Sequence, residues 1–343
     1  MPAGLLGIDL GTSSVKAVVT DLAGAVVARA SRHYAVVSLG PGWAESDPVA
    51  WWDAAVDAAA EAVAAGRLDI RGIGLAGQMH GVVLTAPDGS PTRAAMLHPD
   101  TRAACMLDAY RALPARVLDR LANPLSANMA GPLLLWTAAH EPSAYHAARW
   151  MLQAKDWVRL RLTGVVHADP SDASATLLYD VAGDRWDLEL VELLGLRAEL
   201  LAPLLPSSGA IGGTLLPDVA ARLGVRAGTP VAAGGGDAAV AAFGGGLTYP
   251  GDVQLTIGSG AQFIALRATP DASPETGTHL YRAVTPHGWY AMAAVLNAGI
   301  ALDWVRGVLG ADWTELYAAA AHAWVEIWRP IAGQMRKEQR RIG

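Results

Sequence analysis

Leu5-Leu6-Gly7-Ile8-Asp9-Leu10 reads as a short apolar strand carrying one carboxylate, and Gly11-Thr12-Ser13-Ser14 follows it as a tight, hydroxyl-rich turn. The same arrangement returns far downstream, where Val253-Gln254-Leu255-Thr256-Ile257 runs into Gly258-Ser259-Gly260. A Gly-Thr/Ser turn between strands lets backbone N–H groups approach phosphate oxygens, because no Cβ stands in the way. One such turn says little. Two of them, one in each part of the chain, suggest a duplicated nucleotide-binding architecture with a phosphate held between the halves.

Around the first turn the sequence reads as a strand meander. Apolar runs at Leu5–Leu10, Val15–Thr20 and Ala25–Arg29 are separated by Gly11-Thr12 and Asp21-Leu22-Ala23-Gly24. Asp47-Pro48 then opens a helix, with Asp as N-cap and Pro at the first position, that carries an Ala-rich segment to Gly66. Ile70–Ala76 and Val82–Thr85 are strand candidates, and Thr101 to Leu162 is mainly helical in pattern. Val231-Ala232-Ala233 is a further strand, and Gly234-Gly235-Gly236-Asp237 leads into the small-residue helix Ala238–Gly244. A second meander follows, with strands at Val253–Ile257, Gln262–Leu266 and Trp289–Ala293 and a helix from Asn297 to Leu309. The order strands, helices, strands, helices fits two α/β units with a boundary near 245–250.

Composition narrows the class. The 343 residues are 52% hydrophobic, enough for two domains with sizeable cores. No apolar run approaches the roughly 20 residues a membrane span needs, and the first residues carry a strand pattern where a secretory signal would sit. Cys105 is the only cysteine, which points to a reducing, cytoplasmic setting. The net charge of −6 argues against a general nucleic-acid surface, and the basic run from Arg329 to Arg341 reads as a solvated tail.

The turns and carboxylates suit phosphoryl transfer, which needs clamped phosphates, a cation to offset charge, and a base for the hydroxyl proton. Gly11, Thr12 and Ser13 offer backbone and hydroxyl donors. Asp9 is a carboxylate in an apolar strand, where it either caps its own turn or faces a cation. Gly234-Gly235-Gly236-Asp237 places a carboxylate at a helix start after a loop that can approach a ligand closely, the arrangement of a base or of a plain N-cap. Gln78 and His80, in Gly77-Gln78-Met79-His80-Gly81, are polar groups in an apolar stretch and suit sugar hydroxyls as well as core packing. Asp100 and Arg102 can position a substrate or pair with each other. Trp43, Trp51 and Trp52 are core packers by default, and Lys16, Lys155 and Asp156 read as structural ion pairs. There is no His/Cys metal cluster, GxSxG elbow or Walker A loop.

These segments together resemble the FGGY family of carbohydrate kinases. The resemblance rests on Gly7 to Lys16, Glu45-Ser46-Asp47-Pro48, Gly77 to Gly81, Lys155-Asp156 with Arg161-Leu162-Thr163-Gly164, and Ser171-Asp172-Ala173-Ser174. It continues through Gly234 to Asp237, Thr256 to Gly260 and Asn297 to Trp304, in the family's order over roughly residues 5–310. It implies an α/β, actin-like ATPase fold of the ribonuclease-H-like type. Residues 1–246 would form the sugar-binding and catalytic domain, 247–324 an incomplete nucleotide-binding domain, and 325–343 an atypical tail. It further implies ATP and Mg²⁺, with Asp237 as general base and Asp9 holding the metal. Gln78, Met79, His80, Gly81, Asp100 and Arg102 would contact the sugar, a ketopentose of the xylulose type. Gly11, Thr12, Ser13, Thr256, Gly258, Ser259 and Gly260 would cradle the ATP phosphates. Sugar and ATP would be the small-molecule partners, without nucleic acid or membrane, and with room for a homodimer.

The chain departs from the family's pattern at three places. His98-Pro99 stands where members commonly carry a Trp, which bears on the sugar. Thr256 to Phe263 is a variant of the second phosphate turn. No Gly-rich adenosine loop follows residue 310, so the chain reads as truncated, and a sugar-binding remnant without turnover is the alternative to a working kinase.

Overall fold

The computed structural model describes residues 1–258, 260–271, 277–285, 288–295 and 298–322. Alternating buried and exposed residues in Ala3–Leu10 (β1) and Ser14–Asp21 (β2) make them strands with one face against a core, joined by the Gly11 turn. Val26–His33 (β3) extends the meander, and all three run antiparallel. The register sets Asp9 opposite Lys16 across the first hairpin.

Pro48–Gly66 (α1) packs on this meander. The Asp47 side chain accepts the Val49 N–H, Pro48 occupies the first turn, and Arg67 closes the helix in the left-handed region at φ 52°. Its buried stripe, with Trp51, Ala55, Ala58, Ala59 and Ala62, meets Leu6, Ile8, Val15, Ala17 and Val19. Alanine brings helix and sheet together. At Gly66 a Cβ would lie 2.9 Å from Val19 Cγ1, so only glycine fits.

Asp69–Gly77 (β4) returns parallel to β1, placing Ala76 beside Asp9. Ala154–Thr163 (α2) follows an irregular, mainly helical stretch. Ile211–Thr214 (β5) and Pro230–Ala232 (β6) complete the sheet order β5-β6-β4-β1-β2-β3, and the two-residue strand Gly235–Gly236 (β7) pairs with the end of β4. Asp237–Gly244 (α3) starts directly from β7. The result is a mixed sheet whose antiparallel meander and parallel return strand end at the same edge of the fold. The ends of β1, β4 and β7 carry Asp9, Gly77 and Gly236, which is what gathers the candidate residues.

Two compact units divide the chain. The first takes Met1–Gln254 and Ile264–Ala293, and the second takes Leu255–Phe263 with Ala294 onward. The sequence expectation placed a second domain from 247; of that stretch, 247–254 and 264–293 belong to the first unit. In the first unit His279–Arg282 (β8) pairs antiparallel with Trp289–Val295 (β9) through residues such as Tyr281 opposite Tyr290, and both tyrosines are buried with Met79, Leu84 and Leu133. The second unit holds Gly299–Leu309 (α4), whose C-terminus is closed by Gly310 at φ 63°. Asn297 and the 325–343 tail, both singled out in the sequence, lie outside the described residues. No helix among the described residues is long and apolar enough to cross a membrane.

Replacing Asp47 with Ala removes the only side-chain cap of α1, and denaturant unfolding should show a loss of about 1 kcal/mol.

Candidate active site

The first Gly turn is held from behind. Gly11 N–H donates to the Ser14 carbonyl at 3.0 Å, and Tyr34 N–H donates to the Ser13 carbonyl at 3.1 Å. The Tyr34 hydroxyl donates to the Gly11 carbonyl. Engaging these carbonyls fixes the turn that Thr12 and Ser13 form. Tyr34 is a residue sequence reasoning missed; it follows β3 and gives no signal until the hairpin brings it back to the turn. Burial and the neighbouring Asp9 charge push its hydroxyl well above the usual range, so it stays a donor.

Asp9, half-buried at the end of β1, has its carboxyl raised by burial, with Lys16 opposing. Asp237 begins α3. Its side chain is open to solvent on one face and crowded by protein on the others, and that crowding pushes its carboxyl up to about 6. The Asp9 charge adds to the shift, and the Ala238 N–H, donating at 2.7 Å, works against it. The two candidate carboxylates are therefore neighbours that repel each other. A cavity of about 560 Å³ opens at Asp9, lined also by Lys16, Ser208, Gly234, Gly235 and Phe243.

The glycines before Asp237 are demanded by close packing. Gly234 sits at φ 78°, and a Cβ there would lie 2.4 Å from the Leu75 carbonyl oxygen. A Cβ at Gly236 would meet Met79 Cγ at 2.8 Å. Met79 is thus wedged beside the loop that leads to Asp237, with the Tyr290 hydroxyl 3.9 Å from its sulfur.

His80 takes the left-handed conformation, φ 72°, which turns its ring out of the β4 line. Its Nδ1–H donates to the Ala175 carbonyl at 2.9 Å, leaving Nε2 as an acceptor. Burial, with His98 and His279 nearby, lowers its pKa to about 3, so the ring is neutral throughout the physiological range. His98 lies over it, centroids 5.1 Å apart, and is itself 3.1 Å (Nδ1) from Asn128 Nδ2. His279 and Asn128 carried no sequence signal, being 199 and 48 residues from His80. Gln78 donates its backbone N–H to Leu10, while both atoms of its buried side-chain amide have no hydrogen-bond partner among the described residues. Gly81 lies against the Met96 carbonyl, where a Cβ would come within 2.8 Å.

Asp100 and Arg102 pair with each other, one of the two readings their spacing allowed. Arg102 Nε lies 2.9 and 3.0 Å from the two Asp100 oxygens, and Nη2 reaches Asp100 at 2.6 Å and Glu45 at 2.7 Å. Asp100 also accepts the Ala44 N–H at 2.8 Å. The Arg102 guanidinium stacks 3.7 Å from the Trp43 ring centroid. Both side chains are buried and turned toward each other, so they frame the loop bearing His98. Trp51 and Trp52 are buried core residues.

Lys155 is fully buried among three carboxylates, with Nζ 2.8 Å from Asp156, 2.6 Å from Asp169 and 3.1 Å from Asp172. These acids have the spacing of a cation site, and the ammonium fills the cation's place. Burial pushes the Asp172 carboxyl well above the usual range against the pull of Lys155, with the Asp169 and Asp156 charges adding to it. Burial works the same way on Asp169, but Lys155 and the Ser171 and Ser208 hydroxyls outweigh it and keep it ionised. With Arg159 bound to Asp156 at 2.8 Å, two basic side chains face three buried acids, of which Asp172 is the one raised.

In the second unit the second turn closes on itself, Gly258 N–H donating to the Gly260 carbonyl at 2.8 Å and Gly299 N–H to the Gly258 carbonyl at 2.9 Å. Thr256 is exposed on the strand leading into it, and Ser259 lies outside the described residues.

The Gly11 turn, the glycine loop that ends in Asp237 and the Gln78-Met79-His80 segment thus stand at the ends of β1, β7 and β4 of an actin-like ATPase fold. The N-terminal domain of the FGGY family of carbohydrate kinases matches residues 5–244. The chain belongs to that family. It is 33% identical over 307 residues to a xylulose kinase of Bacillus subtilis, covering 88% of this chain and 61% of that protein. It is also 33% identical over 330 residues to a glycerol kinase of Gloeobacter violaceus, covering 92% and 65%. The crystal structure of a xylulose kinase from Rhodospirillum rubrum superposes with a TM-score of 0.86 at 28% identity, covering 94% of this chain and 67% of that one. The chain thus spans roughly three-fifths to two-thirds of the length of these relatives.

Two outcomes follow from the charges. Replacing Lys155 with Met strands the ionised acids, and unfolding should show a loss of roughly 3–5 kcal/mol. A carboxyl raised on folding favours the folded state at acid pH and loses that contribution as pH rises through about 6. Asp237→Asn should therefore melt higher than the parent above pH 6, the gap closing toward pH 4; a gap that is constant with pH would contradict the raised carboxyl.

Proposed function

We propose that the chain phosphorylates a ketopentose from ATP, D-xylulose to D-xylulose 5-phosphate being the leading reaction. The observation that carries this reading is Asp237: an accessible carboxyl raised to about 6, next to Asp9, at the end of a glycine loop against Met79. At neutral pH it is ionised yet basic enough to accept a proton, the balance a general base needs. The terminal sugar hydroxyl gives its proton to Asp237 as its oxygen attacks the γ-phosphorus of ATP, and ADP leaves with the bridging electrons.

The partnerless amide of Gln78 and the free Nε2 of neutral His80 suit sugar hydroxyls, one donating and accepting, the other accepting. Gly11, Thr12 and Ser13 are the proposed phosphate contacts in the first unit, with Thr256, Gly258, Ser259 and Gly260 as further phosphate contacts. Mg²⁺ fits the donor set, because a hard divalent cation would relieve the raised Asp9 carboxyl; Asp9 would hold it, and it would offset phosphate charge. His98 in the place of the family's common Trp favours a second reading of the sugar, a different ketose or a polyol, with the same base. The same proposal puts the protein in the cytoplasm, where Cys105, exposed and unpaired, stays reduced.

A coupled assay with Mg²⁺, ATP and a panel of D-xylulose, other ketoses and glycerol tests the reading. Turnover should be highest on D-xylulose, fall on the acid side with a midpoint near pH 6, and drop roughly 10²- to 10⁴-fold in Asp237→Asn. Sugar binding by calorimetry with no turnover would replace it with a binding remnant, and undiminished turnover in Asp237→Asn would remove the base.

A further inference from the structure

We propose that Asp169, acting through the Ser171 hydroxyl and by holding the side chain of Ser208, is the positioning residue for Asp237. The inference rests on Asp237 being the base. Three successive anchors hold the backbone leading to it. The Ala233 carbonyl accepts from Arg159 Nη1, Gly234 N–H donates to the Ser208 carbonyl at 3.0 Å, and Gly236 N–H donates to Ser171 Oγ at 3.1 Å. The side chains of the two serines that supply the last two anchors, one through its backbone carbonyl and one through its hydroxyl, converge on one atom. Asp169 Oδ2 accepts the Ser208 hydroxyl at 2.7 Å, the Ser171 hydroxyl at 2.6 Å and the Ser171 N–H at 2.9 Å.

The arrangement leaves little freedom. A hydroxyl has one proton; because Ser171 gives its proton to Asp169, its lone pairs are what Gly236 N–H meets. Asp169 thereby decides the direction from which the peptide just before the base is held. Its other oxygen is anchored to Lys155 Nζ at 2.6 Å, and Arg159, which holds Ala233, is tied to the same group through Asp156. Asp169, Lys155, Arg159 and Asp156 are all buried, so the reference frame does not move with solvent. Steric fit supports the same bond, since a Cβ at Gly235 would lie 3.0 Å from Ser171 Oγ. Among the charged groups, Asp9 is the one whose charge acts on Asp237.

Ser171→Ala removes one anchor without touching an ion pair, Ser171→Thr restores the hydroxyl, and Ser208→Ala reads the other flank independently should the first variant fail to fold. The Asp237 carboxyl is followed by ¹³C NMR titration of the intact chain, assigned by its disappearance in Asp237→Asn, so a readout exists whether or not the chain turns over. In Ser171→Ala the midpoint should fall by about one pH unit as the loop opens to water. Sugar phosphorylation should lose on the order of 10- to 100-fold in kcat with little change in KM, with its acid limb moving alongside. Ser171→Thr should restore both. A loss of folded fraction alone would lower the rate and leave the midpoint where it was. An unchanged midpoint and rate in folded Ser171→Ala and Ser208→Ala overturns the positioning role while Asp237→Asn still abolishes turnover. Undiminished turnover in Asp237→Asn instead overturns the base assignment, and the inference with it.

Discussion

The placement of the candidate site depends on one ammonium group. Lys155 Nζ lies within 3.1 Å of three carboxylates, in a place no solvent reaches. Such a group is a poor source of net stability, because removing charges from water costs about as much as their attraction returns. Its contribution is to exclude alternatives: any packing that separates Lys155 from Asp169 leaves bare charges in the interior. The requirement spreads outward. Gly77, at the end of the central strand, must lack a side chain because a Cβ would lie 2.8 Å from Lys155 Cβ. The strand that delivers Gln78, Met79 and His80 is thus registered against the same lysine that holds the approach to Asp237.

Elements that announce themselves through local chemistry were readable in the sequence. The β1–β2 hairpin, the helix opened by Asp47-Pro48 and the glycine run before Asp237 each combine a periodic pattern with a conformational marker, and each stands where it was read. The family's motifs extended that reading to fold class. What escaped is what depends on distant partners. Tyr34 seals a turn whose first residue lies 23 positions earlier, and Gly236 leans on a serine 65 positions away. Lys155 and Asp156 were legible as a structural ion pair; that Asp169 and Asp172, more than ten residues on, join them was not. Asp100 and Arg102, two residues apart, were legible as a possible pair; that Glu45 and Trp43 complete the knot was not.

The electrostatics of the site work by contrast. Asp9 and Asp237 are neighbours of like charge whose carboxyls are both raised, whereas His80, a few residues along from Asp9's strand partner Ala76, is kept neutral by burial and by other histidines. One side of the site therefore gathers negative charge and readily accepts protons or cations, and the other offers uncharged donors and acceptors. A ligand with an anionic, metal-binding end and a hydroxylated, neutral end matches that division.

His80 also constrains how this site can drift. Its left-handed backbone is strained for any residue with a Cβ, and glycine alone would relax it. The mutation that most eases the chain is the one that deletes the imidazole, so relief of backbone strain and retention of a neutral ring nitrogen pull in opposite directions at one position. Asparagine and aspartate tolerate the same backbone, but each brings a shorter arm and aspartate a charge. Whatever ligand specificity this lineage explores, it has few exits through that position and is channelled instead to the ring's neighbours, His98 and His279.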